Sequence, residues 1–136
     1  MANRNTQKDL QTEEWVKRAN DDELSLEAIL KERGAPNTAC FLSQQMGEKY
    51  LKAFLVHKKK WYPKVHALDA LWELCNKIDS SFEELKNDAV FLNDFYVTTR
   101  YPGDYPSFSM KDAREAYQAA LRVKNFVLGK IGKPAS

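Results

Sequence analysis

Within the segment Thr99-Arg100-Tyr101-Pro102-Gly103-Asp104-Tyr105-Pro106, a cation, an acid and two tyrosines share one turn. A guanidinium offers a planar, permanently charged fork that suits a phosphate or a carboxylate. Arg100 lies eighteen residues after Phe82, five whole helical turns, so a helix reaching that far points it along the apolar face, inward. Asp22 is the matching acid. It falls in the middle of the row Trp15, Ala19, Leu26, Ile29, where a lone buried carboxylate is unfavourable without a partner. Two readings of the pair stay open. Asp22 and Arg100 form an ion pair that fixes helix register, or they flank a polar pocket in which Arg100 takes a phosphate or carboxylate. Tyr96, Tyr101 and Tyr105 would line that pocket, with Pro102-Gly103-Asp104 as its rim.

Two further groups carry chemistry. One row of the second expected helix reads Phe41, Gln45, Glu48, Lys52, Leu55, apolar at both ends and polar in the middle. It is either the solvated edge of a groove or a polar strip facing a ligand or partner helix. The run His57-Lys58-Lys59-Lys60-Trp61-Tyr62 joins cations to aromatics. Cations suit a helix C-terminus for dipole reasons alone; the alternative is contact with RNA phosphates and bases. Only two histidines occur, His57 and His66. His66 is expected to open a helix after Pro63, in a capping or hydrogen-bonding role. No glycine-rich phosphate loop, nucleophile elbow or metal motif is present, so no metal and no cofactor is expected. Cys40 and Cys75, in separate apolar segments, read as buried free thiols.

These residues need helices to position them. Five glycines and five prolines in 136 residues favour long helices over a turn-rich β protein. The spacing predicts a helix capped by Thr12 and stopping near Gly34, after a flexible segment 1–11. A second runs from Pro36 to about Lys58, with apolar residues round much of its circumference, as expected of a central helix or one that also meets a second subunit. A short third helix spans about His66 to Lys77. Ser80 with Glu83 matches a capping box for the fourth, and Ser109 with Asp112 one for the last, which Gly132-Lys133-Pro134 ends. The expected architecture is all-α: an antiparallel four-helix up-down bundle with one additional short helix, over 12–131, with 132–136 flexible. A net charge of +2 argues against a global affinity for nucleic acid or anionic membrane, and leaves room only for local patches. With no long apolar run and no leader pattern, the protein is expected in the cytoplasm.

The chain resembles the HEPN domain family. The resemblance rests on Trp15…Ala19…Asp22, on Phe41…Gln44-Gln45-Met46…Glu48-Lys49…Leu51-Lys52-Ala53, on Pro63…His66…Leu68…Leu71, and on Thr99-Arg100-Tyr101-Pro102 before an alanine-rich last helix. It implies a bundle of four or five helices, commonly a homodimer. Its members often stand beside a minimal nucleotidyltransferase, in toxin–antitoxin, defence or RNA-processing systems. Catalytic members carry an Arg followed shortly by His. Arg100 matches the Arg, but Asp104, Tyr105 and Pro106 stand where the His belongs, and no His follows His66. Tyr105, with an ordinary pKa near ~10, is a poor general base at neutral pH. The expectation is therefore a non-catalytic dimeric binding module for a nucleotide or a nucleotidyltransferase-family protein. Its ligand-binding residues would be Arg100, Tyr101, Asp104, Tyr105, Asp22, Lys49, Lys52 and His66. Two alternatives remain: a metal-independent ribonuclease using Arg100 and Tyr105, with His66 supplied from elsewhere in the fold, or a helical adaptor without a ligand.

Overall fold

The structure is a computed structural model that describes residues 4–98 and 107–132, with side chains for 10–95 and 107–132. Among the described residues five α-helices follow one another: α1 (Arg4–Lys31), α2 (Pro36–Lys59), α3 (Leu68–Ile78), α4 (Lys86–Thr98) and α5 (Met110–Ile131). A 3-10 segment, Ser80–Leu85, leads into α4. No strand occurs among the described residues.

α2 is the axis of the bundle. It packs against α1, α5, α3 and α4. Met46, Tyr50, Leu51, Phe54 and Leu55 are buried on it, as are the polar Ser43, Gln44, Glu48 and Lys52. The apolar excess of this helix is thus covered by its own chain. Side-chain partners give the directions. Asp22 meets Lys49 while Trp15 meets Lys52, so α1 runs antiparallel to α2. Gly47 lies beside Leu92, and Phe54 beside Phe82, so α4 opposes α2. Asp88 meets Arg122 and Phe82 meets Phe126, so α5 opposes α4. α1, α2, α4 and α5 are therefore the up-down four-helix bundle, and α3 is the additional short helix.

α3 runs parallel to α2, because Leu68 lies at Gly47 and Cys75 at Leu51. A parallel return needs a long connection. Residues 60–67 supply it as a non-helical strap that doubles back along α2. Eight extended residues reach roughly 26 Å, against a rise of about 18 Å for the twelve helical residues to be retraced. Gly47 makes the landing possible. A Cβ there would stand 3.0 Å from Leu68 Cδ1 and 3.2 Å from Leu92 Cδ1. Aromatic contacts then tie the layers: Phe82 lies 4.5 Å from Phe54 and 4.8 Å from Phe126 between ring centres.

The local signals hold in some places and yield in others. Ser109 and Asp112 form the expected capping box, and Gly132, at φ 76°, ends α5. Cys40 and Cys75 are buried free thiols, and burial, with Asp112 behind it, pushes the Cys40 thiol up to about 12. α1 does not begin after Thr12. It starts at Arg4, and Thr12 is buried inside it; nothing in 4–11 breaks a helix. His66 does not open a helix either: it belongs to the strap, and α3 starts at Leu68. At the next boundary Ser80 and Glu83 form no capping box. Asp79 Oδ1 instead accepts from Ser81 N at 3.0 Å, since a 3-10 start places the cap one residue earlier than an α-helical one.

Asp79 also holds Lys130 at 2.9 Å, tying the 3-10 segment to the end of α5. The Ser81 hydroxyl, then Lys130, hold its carboxyl down at about 2, from an ordinary 3.8. A group depressed by folding contributes stability above its unfolded pKa and loses it as pH falls through the folded one. Between about pH 4 and pH 2 the wild type should therefore lose thermal stability more steeply than Asp79→Asn. Melting curves across that window check this; parallel losses would remove the role given to Asp79.

Candidate functional site

Where the strap crosses α2, the polar strip of the helix lies beneath it. Non-helical backbone laid on a bundle has peptide groups to satisfy, and Gln44 Nε2 donates to the His66 carbonyl at 3.4 Å. Gln45 in turn donates to Gln44 Oε1 at 2.7 Å. Below His66 lies Glu48, only 2% exposed. Its Oε2 accepts from Lys52 Nζ at 3.1 Å and stands 3.3 Å from His66 Nδ1. Lys52, 4% exposed, has its ammonium 5.2 Å from the ring centre of Trp15 and 5.6 Å from that of Tyr62. Those rings meet edge to face at 5.0 Å. One turn away, Lys49 Nζ donates to Asp22 Oδ2 at 2.6 Å across the α1–α2 seam.

The polar row of α2 is therefore not a solvated groove edge. It is a buried relay of charges, covered by the strap and opening to solvent at His66, whose side chain is 60% exposed, and less widely at Asp22 and Lys49. Burial pushes the Asp22 carboxyl above its ordinary range, against the opposing pull of the Lys49 hydrogen bond and charge. Two acids and two lysines neutralise one another here. The His66 ring reaches both the Glu48 carboxylate and the solvent.

Four of the expected site residues, Asp22, Lys49, Lys52 and His66, thus fall into one cluster. The described partner of Asp22 is Lys49. Arg100, Tyr101, Asp104 and Tyr105 lie outside the described residues, as does the proposed pairing of Asp22 with Arg100. Gln44 and Trp15 join the cluster without an expected binding role, Glu48 comes from the polar row of α2, and Tyr62 comes from the basic and aromatic run 57–62. Glu48 had a visible signal: it stands four residues before Lys52 in a row closed at both ends by apolar residues. Tyr62 had a signal only as part of that run; its place beside Lys52 depends on the return path of the strap. No group of three His, Cys, Asp or Glu residues suited to a metal occurs among the described residues.

A second buried polar group ties α1 to α5. Glu23 accepts from Lys124 Nζ and from the Tyr117 hydroxyl, each at 2.8 Å. Burial, then the Glu23 carboxylate, pushes the Tyr117 hydroxyl well up, so the tyrosine stays a donor. With every partner satisfied, this group reads as a structural tie.

The HEPN domain model matches residues 12–131. The chain belongs to the HEPN domain family. Among solved structures, the crystal structure of an archaeal HEPN homologue is 28% identical, covering 88% of this chain and 97% of that one, with a TM-score of 0.71. The crystal structure of a Thermus thermophilus protein shares the fold at 24% identity and a TM-score of 0.76, covering 88% of this chain and 98% of that one. No curated protein sequence matches. In this HEPN chain, the bundle and the strap are what bring the polar cluster together. No helix among the described residues is long and apolar enough to cross a membrane.

Removing one partner of a buried ion pair strands the other charge, whereas replacing both does not. Glu48→Ala should lower the unfolding free energy by about 3–5 kcal/mol. The double variant Glu48→Met, Lys52→Met should recover most of that loss. Urea titration measures both; a double variant as weak as the single one would mean that the pair is net stabilising in its own right.

Proposed function

We propose that this chain is a non-catalytic HEPN binding module, homodimeric, that takes a nucleotide or a nucleotidyltransferase-family protein as its partner, in a toxin–antitoxin or related system. The observation that carries the reading is the Asp22–Lys49 pair. It is a desolvated yet partly open ion pair in the α1–α2 seam, one turn from two aromatic rings. Desolvated charged pairs in a seam beside aromatic surface are characteristic of binding sites. The sequence adds that the position expected to hold the histidine of catalytic members carries Asp104, Tyr105 and Pro106. In this reading the Lys49 ammonium and Arg100 meet the anionic part of the ligand, and Asp22 and His66 meet its polar edge.

Thermal shift with nucleoside mono-, di- and triphosphates tests the nucleotide half. A ligand bound only by the folded state raises stability by about 2.7 kcal/mol at a hundredfold excess over Kd. For a chain of this size that is a rise in Tm of roughly 5–15 °C. Lys49→Ala should abolish the shift. Light scattering tests the dimer. The reading fails if no nucleotide moves the Tm and neither a second copy nor a co-expressed nucleotidyltransferase joins the chain.

One observation favours a second reading, a metal-independent ribonuclease. His66 rests on Glu48, as a general base does on its orienting acid. With chelator present, labelled RNA should then be cut by the wild type and spared by both His66→Ala and Arg100→Ala. Intact RNA at high protein concentration excludes this reading. If nucleotide shift and cleavage both fail, the chain acts as a ligand-free helical adaptor.

A further inference from the structure

Trp61 is 57% exposed, an unusual position for so large an aromatic side chain. It stands at the start of the strap and forms a wall of two grooves. One, about 550 Å³, is bounded by Lys60, Tyr62, Pro63 and Lys64. The other, about 650 Å³, lies between α2 and α3, with Lys59 and Lys77 at its rim and Leu55, Leu74 and Ile78 as its floor. Four lysines from three successive segments thus surround one indole. Elsewhere the buried or bridging lysines hold acids: Lys49 with Asp22, Lys52 with Glu48, Lys124 with Glu23, Lys130 with Asp79. Lys59, Lys60, Lys64 and Lys77 pair with no carboxylate among the described residues.

The helix dipole accounts for Lys59 at the end of α2 and Lys77 at the end of α3, but not for Lys64 on the strap, nor for the exposed indole. Lys60 also adopts a left-handed backbone, φ 58°, where glycine would sit without strain. Keeping lysine there retains a cation at the mouth of the first groove.

We propose that this face binds a single-stranded nucleic acid, with an unpaired base stacked on Trp61 and the backbone phosphates running between Lys60 and Lys64 on one side and Lys59 and Lys77 on the other. An exposed aromatic face is open to an unpaired base and closed to a paired one, since a duplex has its base faces covered. Unpaired lysines on both sides supply the counter-charge, so a strand crossing the indole meets cations before and after the stacked base. The surface uses none of Asp22, Lys49, Arg100 and His66; it shares only Tyr62, whose ring also faces Lys52, and it stands independently of the function proposed there.

Fluorescence anisotropy with a labelled twelve-nucleotide oligouridine RNA tests it, with a duplex of equal length and phosphatidylserine vesicles as comparisons. The single strand should bind, and the log of its affinity should fall with log salt at a slope of about −2 to −3, as ~0.7 per neutralised phosphate requires for four lysines. Trp61→Ala should weaken binding by about 5- to 100-fold, and Trp61→Phe should retain part of it. Lys59→Gln and Lys77→Gln should each reduce the salt slope by about 0.7. Far-UV circular dichroism of each variant shows that the bundle is intact, as expected for exposed positions. The proposal is overturned if Trp61→Ala binds as the wild type does, if the duplex binds as tightly as the single strand, or if vesicles capture the protein and the RNA does not. Lys49→Ala should leave RNA binding unchanged, and Trp61→Ala should leave any nucleotide-induced thermal shift unchanged, so the two surfaces succeed or fail separately.

Discussion

Glu48 and Lys52 form an ion pair at the centre of a helix that the rest of the chain surrounds, and most of the architecture answers to it. Taking two charges out of water is unfavourable by several kcal/mol per ion unless geometry and further hydrogen bonds compensate. The compensation is visible. The carboxylate meets both the ammonium and the His66 ring, and the ammonium lies against two aromatic rings. The compensating groups come from two elements other than α2: Trp15 from α1, Tyr62 and His66 from the strap. The pair therefore selects the register of α1 and the path of residues 60–67 together, as well as burying charge.

The strap is the second consequence. A chain that turns directly from α2 into an antiparallel α3 would leave the polar strip open to solvent. This chain instead retraces α2 and starts α3 parallel to it, at Gly47, where the absence of a side chain admits Leu68 and Leu92. Peptide groups of the strap then lie over the polar side chains of α2, which meets the needs of both. The resulting cluster is balanced in charge, and it opens outward at His66 and at the Asp22–Lys49 pair.

The surface has a different electrostatic character. The interior lysines are matched one to one with acids, while those around Trp61 are not. A net charge of +2 conceals this, because a whole-chain total does not separate paired interior charges from unpaired surface ones. Within one HEPN bundle, a neutral, preorganised cluster thus coexists with a positively charged aromatic face, and Tyr62 of the strap borders both.

The sequence by itself determined the all-helical class, the order of the helices, the capping of α5 by Ser109 and Asp112, and the family. These follow from local chemistry: periodicity, caps, and glycine and proline placement act within a few residues. It also placed Asp22 on an inward face, because helical spacing alone orients a side chain. Only the tertiary structure decided what that face meets. Lys49, twenty-seven residues away, answers Asp22, and the strap turns a row that reads as a groove edge into a buried relay. His66 illustrates the limit. Its sequence context suggests a helix start, yet its position is set by Glu48 and Gln44, far along the chain, because a hydrogen-bond partner buried under a returning strap has no local signature.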